Sequence, residues 1–182
     1  MKNLSIVSAY TLLNSGSCRY RINSGTIAQT DLPQFLPSAV CLDLFQEIID
    51  KSNTVVDYGC GKGRVSFFLS AQTKCRSIGI EYNPRLLERA KANQESARRG
   101  HLVTLVQGDA VDFIVPQKAD RAFFFNPFSL DILRPVMMNL LTSCRENPRD
   151  MLLFFYYPSA FYCEYLEKIE AISHTETLDC RP

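Results

Sequence analysis

The chain has 182 residues, 46% of them hydrophobic and 21% charged, with a formal net charge of +1. That is the balance of one soluble globular domain with room for a substantial core, and a charge so near zero gives no global steering toward nucleic acid. No apolar run approaches the ~20 residues needed to span a bilayer, and the opening MKNLSIVSAY does not read as a signal peptide. Cys18, Cys41, Cys60, Cys75, Cys144, Cys163 and Cys180 are odd in number, scattered and without a Cys-x-x-Cys pair. They read as reduced thiols of a cytoplasmic protein rather than as a disulfide framework or a zinc site.

Residues 1–36 show mixed polarity and no sustained period, and read as an irregular extension with room for a short helix, punctuated at its end by Pro33 and Pro37. Residues 37–182 read as the functional domain. From Ser38 to Asp50 the apolar residues fall at helical spacing. Thr54 to Tyr58 reads as the first strand of the domain, followed by a glycine loop and a helix that is apolar nearly all round. Arg76 to Glu81 is a second strand ending in an acid. Asn83-Pro84 then supplies an N-cap and a first helical residue for a helix closing on Gly100. Leu102 to Val106 is a third strand, ending in Gly108-Asp109-Ala110, with room for only a short helix or turn after it. Ala122 to Phe125 is a fully apolar fourth strand that ends at Asn126-Pro127-Phe128. Ser129 caps a helix to about Arg145, with Pro135 near its first turns. Met151 to Tyr157 is a fifth strand, a helix follows to about Ile169, and Ile172 to Leu178 fits a sixth. The small basic clusters Arg98-Arg99 and Arg19-Tyr20-Arg21 read as solvated surface.

Strands that alternate with helices and read as unbroken apolar runs predict an α/β fold with a doubly wound, mostly parallel sheet. Right-handed crossovers then put the ligand site at the carboxyl ends of the strands. Gly59, Gly61 and Gly63 alternate immediately after the first of these ends, so the loop can turn sharply, approach a ligand closely and aim its N–H groups at it. The spacing is G-x-G-x-G with Asp57 two residues before it, not the G-x-G-x-x-G of dinucleotide enzymes. A dinucleotide would bring a pyrophosphate, which an acid beside the loop repels.

Asp-x-Gly-x-Gly-x-Gly resembles motif I of the class I S-adenosylmethionine-dependent methyltransferases, whose cofactor brings an ammonium and a sulfonium to the loop. The segments Asp57 to Arg64, Gly79 to Asn83 and Phe124 to Phe128 are similar to a group of small bacterial methyltransferases of unassigned substrate, over roughly residues 37–170. The resemblance implies a Rossmann-like methyltransferase fold, S-adenosyl-L-methionine as cofactor and a methyl acceptor it does not name: a small molecule, a nucleobase or a protein side chain. In such enzymes an N-terminal segment often covers the site, so residues 1–36 are a possible cover or a packing extension. The class usually ends in a sixth strand and an antiparallel seventh. Only one strand fits after Ile169, so six strands are expected here, with an incomplete C-terminal hairpin and an open edge suited to homo-oligomer pairing.

The acids at the strand ends carry the cofactor reading. Glu81, 20 residues after Gly61, can accept both ribose hydroxyls. The resemblance gives Asp109 to the adenine amino group, the Ala110 N–H to the ring and Asp57 to the methionine ammonium. Tyr58, Gly59, Cys60, Gly61, Gly63, Tyr82 and Asn126 complete the expected cofactor contacts, and no metal site is expected. Asn126-Pro127-Phe128 resembles, with one proline fewer, the Asn-Pro-Pro-Tyr/Phe motif of enzymes that methylate planar amino groups. That motif implies that Asn126 and a proline carbonyl accept the amino hydrogens while Phe128 stacks on the acceptor; the other reading is that Asn126 caps a turn and Pro127 ends the strand. Tyr157, or its neighbour Tyr156, can offer an aromatic face to the cleft. His101 and His174 lie away from the strand carboxyl ends and read as structural or surface residues. The competing readings are a cofactor-binding sensor without turnover, which a methyl-transfer assay would test, and a nicotinamide oxidoreductase, which the glycine spacing disfavours.

Overall fold

A computed structural model describes residues 7–13, 45–156, 158–172 and 174–179, the first and last of these stretches by their backbone. The strands are β1 (Val7–Leu13), β2 (Thr54–Tyr58), β3 (Arg76–Glu81), β4 (Val103–Gln107), β5 (Arg121–Phe124), β6 (Met151–Tyr156) and β7 (His174–Asp179). They form one sheet in the order β4-β3-β2-β5-β6-β1-β7. Every neighbouring pair runs parallel. The helices are α1 (Arg64–Thr73), α2 (Pro84–Ser96), α3 (Leu130–Glu146) and α4 (Ala160–Leu166). No helix of the described residues is long and apolar enough to cross a membrane.

The doubly wound α/β prediction stands, but the strand count does not. Among the described residues there are seven strands where six were expected, and the additional one comes from the segment read as irregular. Val7–Leu13 pairs in parallel with β6 on one side and β7 on the other. The run VSAYTLL includes the β-branched Val7 and Thr11 and the aromatic Tyr10, residue types that favour strands. Its partner β6 lies more than a hundred residues along the chain, and no local pattern announces such a pairing. The edges of the described sheet are β4 and β7. Of the expected helix at residues 38–50, residues 45–50 are described; 45–48 are helical and 49–50 are not.

Side chains alternate across the sheet. Val55, Phe123, Phe154 and Tyr156 pack on one face with Phe45, Ile49 and Leu69. Val56, Tyr58, Phe124, Leu153 and Phe155 pack on the other, under α3 and α4. On this second face the register sets Tyr58 beside Phe124 and Phe124 beside Phe155. Their rings stack in series, with centroids 4.9 Å and 4.7 Å apart and planes within 6°. The series ends on Tyr162 of α4, edge-on to Phe155 at 6.1 Å. An aromatic ladder thus crosses the three central strands near their carboxyl ends. Each such pair adds roughly 0.5–1.5 kcal/mol beyond burial.

Two smaller readings change with the structure. The sheet-facing side of α1 is not wholly apolar, because Ser66 and Ser70 are fully buried there. Arg99 is not simply solvated: it sits at φ 63 and donates from its guanidinium to the Ala71 carbonyl, tying the end of α2 to α1. At the amino ends of the strands Asp120 accepts from the Thr54 N–H at 2.9 Å and the Asn53 amide at 2.6 Å. The opposite end of the sheet is left for ligand.

Candidate active site

Gly59, Gly61 and Gly63 all adopt positive φ, at 72°, 57° and 77°. Gly59 also has no room for a side chain: a Cβ there would lie 2.6 Å from the Pro127 Cβ. The Asn126-Pro127-Phe128 loop therefore sits directly on the glycine loop, and glycine at 59 is what allows it.

The backbone amides of the glycine loop are consumed by the protein, contrary to the expectation that they face the ligand. Gly59 and Cys60 both donate to the Ile80 carbonyl, at 3.0 and 2.9 Å, and Gly63 donates to the Cys60 carbonyl at 2.9 Å. Gly61 donates to Glu81 Oε2 at 2.8 Å. A pyrophosphate would need these same donors. The loop presents carboxylates and shape instead.

Glu81 stands at the centre of the arrangement. It is 9% exposed, and its second oxygen, Oε1, accepts from the Asn83 N–H at 2.8 Å. Each carboxylate oxygen retains a lone pair beyond the one used, so both can still accept from a ligand hydroxyl. Asn83 in turn caps α2, its side chain accepting from the Arg85 N–H at 3.0 Å. Asp109 is exposed and uses Oδ1 to accept from the Val111 N–H at 3.0 Å, which fixes the turn after β4 and leaves the other oxygen outward.

A cavity of about 420 Å³ opens at these strand ends, lined among others by Gly59, Glu81, Tyr82, Asp109, Ala110 and Phe128. This lies within the ~300–1,000 Å³ of small-molecule sites. Tyr82 is 74% exposed, a large aromatic face held at the mouth. Phe125, Pro127 and Ile132 line the same space. Asn126 lies between two of these lining residues but is not itself one of them; it adopts φ 43, a left-handed conformation that asparagine tolerates better than most residues.

Asp57 sits behind the loop, 3% exposed, with Oδ2 accepting from the Ser66 hydroxyl at 2.7 Å and the Ser66 N–H at 3.2 Å. Burial raises its pKa to about 6, the Ser66 hydrogen bonds opposing the rise and the Glu81 charge adding to it. Burial and the same two acids push the Cys60 thiol up, so this cysteine is a packed neutral group. Its sulfur would touch a Cβ at Gly79 at 2.8 Å. Tyr58 is 1% exposed and belongs to the ladder, so its ring faces the core. Tyr156 is also a core residue, packed edge-on to Phe125 at 5.0 Å. Tyr157 lies outside the described residues. His101 lies in a short 3-10 turn, Gly100–Leu102, and lines a separate cavity that Thr54 and Arg76 place at the amino ends of the strands.

The sequence reading did not single out Ser66, Ile132 or Tyr162. Ser66 could have been found as a serine on the sheet-facing side of an otherwise apolar helix. Tyr162 gave no local signal, since it acts on a residue 34 positions earlier.

Residues 55–147, over half of the chain, match the family described as methyltransferase domain. The chain belongs to the methyltransferase domain family. The matched span runs from β2 to the end of α3 and contains every acid of the site. Among curated relatives, ribosomal protein L11 methyltransferase of Burkholderia mallei (strain NCTC 10229) is 30% identical over 59 residues, 32% of this chain and 20% of that protein. The counterpart in Alkaliphilus oremlandii is 27% identical over 81 residues, 44% of this chain and 26% of that protein. The methyltransferase match with these relatives thus spans about a fifth to a quarter of their length. Among solved structures, an RNA methyltransferase from Salinibacter ruber in complex with S-adenosyl-L-homocysteine is 25% identical, with TM-score 0.47, over 56% of this chain and 69% of that one.

Proposed function

We propose that this methyltransferase domain binds S-adenosylmethionine in the 420 Å³ cavity and transfers its methyl group to a nitrogen in a planar group held at the Asn126-Pro127-Phe128 loop. The observation that carries the cofactor reading is the fate of the glycine-loop amides: all four named above are bonded to protein, and the groups left facing the cleft are acids. The charged side chains among the cavity lining are the acids Glu81 and Asp109, which suits a ligand with positive charge and hydroxyls and opposes one carrying a pyrophosphate.

When bound, the cofactor supplies an activated methyl group on a sulfonium. The chain's own residues then have three tasks. Glu81 accepts the ribose hydroxyls on oxygens already oriented by the Gly61 and Asn83 amides. Asp109 and the Ala110 N–H meet the adenine edge, against the face of Tyr82. Asp57, once ionised, faces the ammonium. The acceptor side needs positioning and water exclusion rather than a catalytic dyad. Pro127 and Phe128 form an apolar wall there, and the Asn126 amide supplies the hydrogen-bond acceptor for the amino group that is methylated.

The test is transfer of labelled methyl from S-adenosylmethionine to a panel containing nucleic acid, ribosomal protein, the acceptor class in the Burkholderia relative's name, and small amines. Asn126→Gly should lose turnover at least tenfold while cofactor affinity stays within about threefold, because glycine keeps φ 43 without strain and removes only the amide. Normal turnover in that variant would make Asn126 a turn residue and remove the planar-nitrogen assignment. Cofactor binding without transfer to any member of the panel would favour the sensor reading. The same proposal places the protein in the cytoplasm, in keeping with the unbridged thiols of Cys60, Cys75 and Cys163. Self-association through the β7 edge is also proposed, and sedimentation reads it directly.

A further inference from the structure

The backbone of Phe128 is held from one side by a single buried hydroxyl. Tyr162 donates through its Oη to the Phe128 carbonyl at 2.7 Å, and the Phe128 N–H donates to the same oxygen at 3.3 Å. Tyr162 is 1% exposed, and its ring is fixed by Phe155 at the end of the aromatic ladder. Its helix is fixed in turn: Ser159 caps it, the side chain accepting from the Tyr162 N–H at 3.3 Å, and Arg134 of α3 lies 5.8 Å over the Tyr165 ring. On the other side of the loop Pro127 rests on Gly59. The loop is therefore pinned between the glycine loop below and one phenol beside it, with Asn126 pressed into the left-handed region at its start.

We propose that Tyr162 is a positioning residue that sets where Asn126, Pro127 and Phe128 stand relative to the reacting methyl group, acting through the Phe128 backbone. It is not among the residues that line the cavity. Burial raises the pKa of its phenol, with the Phe128 backbone bond opposing, so it stays a neutral donor throughout the working pH range and the clamp does not titrate. The clamp acts on the Phe128 backbone, so it does not use the Asn126 amide, and the partly buried Phe128 ring still lines the cavity. This inference rests on the methyltransferase reading for its consequence, though not for the clamp itself.

The experiment is Tyr162→Phe, which keeps the ring in the ladder and removes only the hydroxyl. Hydrogen exchange should show the peptide spanning residues 124–130 losing protection at least tenfold, with β2 and β3 unchanged. Ser159→Ala, which weakens the same helix but keeps the hydroxyl, should leave protection of that peptide intact. With methyl-13C S-adenosylmethionine bound, the methyl resonance should move or split in Tyr162→Phe and stay in place in Ser159→Ala. Unchanged protection at residues 124–130, or loss of protection across the whole sheet, would overturn the clamp. A local loss of protection with an unmoved methyl resonance would overturn the positioning role. Failure of the wild type to bind S-adenosylmethionine would sink the functional reading instead and leave the exchange result standing.

Discussion

Asp57→Asn is expected to give a protein that is more stable at neutral pH and binds its cofactor poorly. Asp57 is buried, and its pKa of about 6 in the fold stands against the ordinary 3.8. Between those values the folded state holds more protons than the unfolded one, so the stability tied to this group is full below pH 3.8 and is lost as pH rises through about 6. The loss sums to about 3 kcal/mol, at ~1.36 kcal/mol per pKa unit. Asparagine keeps an oxygen for the Ser66 donors and never ionises. Denaturant unfolding at pH 4 and pH 7.5 should therefore show the variant gaining about 1–3 kcal/mol on the wild type over that interval. The same variant lacks the charge proposed to face the ammonium, and S-adenosylmethionine should bind at least tenfold more weakly. A variant that gains nothing between the two pH values would mean that Asp57 is solvated and ionised in the free protein. The buried acid is thus a cost carried by the empty fold, offset when a cation arrives.

Glu81→Gln should be more damaging to binding than its single-atom change suggests. Both Glu81 oxygens accept backbone N–H groups, from Gly61 and Asn83, each at 2.8 Å. Glutamine has one acceptor oxygen, so its amide nitrogen must turn toward one of those N–H groups, donor against donor. An unpaired donor of this kind costs about 1–3 kcal/mol. The remaining oxygen can serve only one ribose hydroxyl, and without charge. Together these should raise the dissociation constant for S-adenosylhomocysteine about 100-fold or more, with the melting temperature lowered. Calorimetric titration beside a melting curve checks both. An affinity within threefold of wild type would remove Glu81 from the ribose site.

What could be read in advance was whatever the chain writes locally. The strand-loop-helix at residues 54–69, the acids at 81 and 109 and the Asn-Pro-Phe turn are each marked by period, glycine spacing or a turn residue within a few positions. Gly59, Glu81, Asp109 and Phe128, each so marked, line one cavity. What escaped is non-local. β1 takes its identity from partners at Met151–Tyr156 and His174–Asp179, not from its own periodicity. The direction of the loop amides depends on where the Ile80 carbonyl and Glu81 stand, so spacing alone wrongly aimed them at the ligand. Tyr162 looks in sequence like any apolar residue of a short helix; only the fold shows that its hydroxyl meets residue 128.

The central claim is that this cleft is built for a cationic adenosyl ligand. Calorimetric titration of the wild-type chain with S-adenosylmethionine, S-adenosylhomocysteine and NADH, each at pH 5 and pH 7.5, tests it most directly. The account predicts saturable one-to-one binding of both sulfur ligands and none of NADH. S-adenosylmethionine should bind about tenfold more tightly at pH 7.5, since Asp57 must shed a proton held with a pKa of about 6. Saturable NADH binding, with neither sulfur ligand bound at either pH, would contradict it.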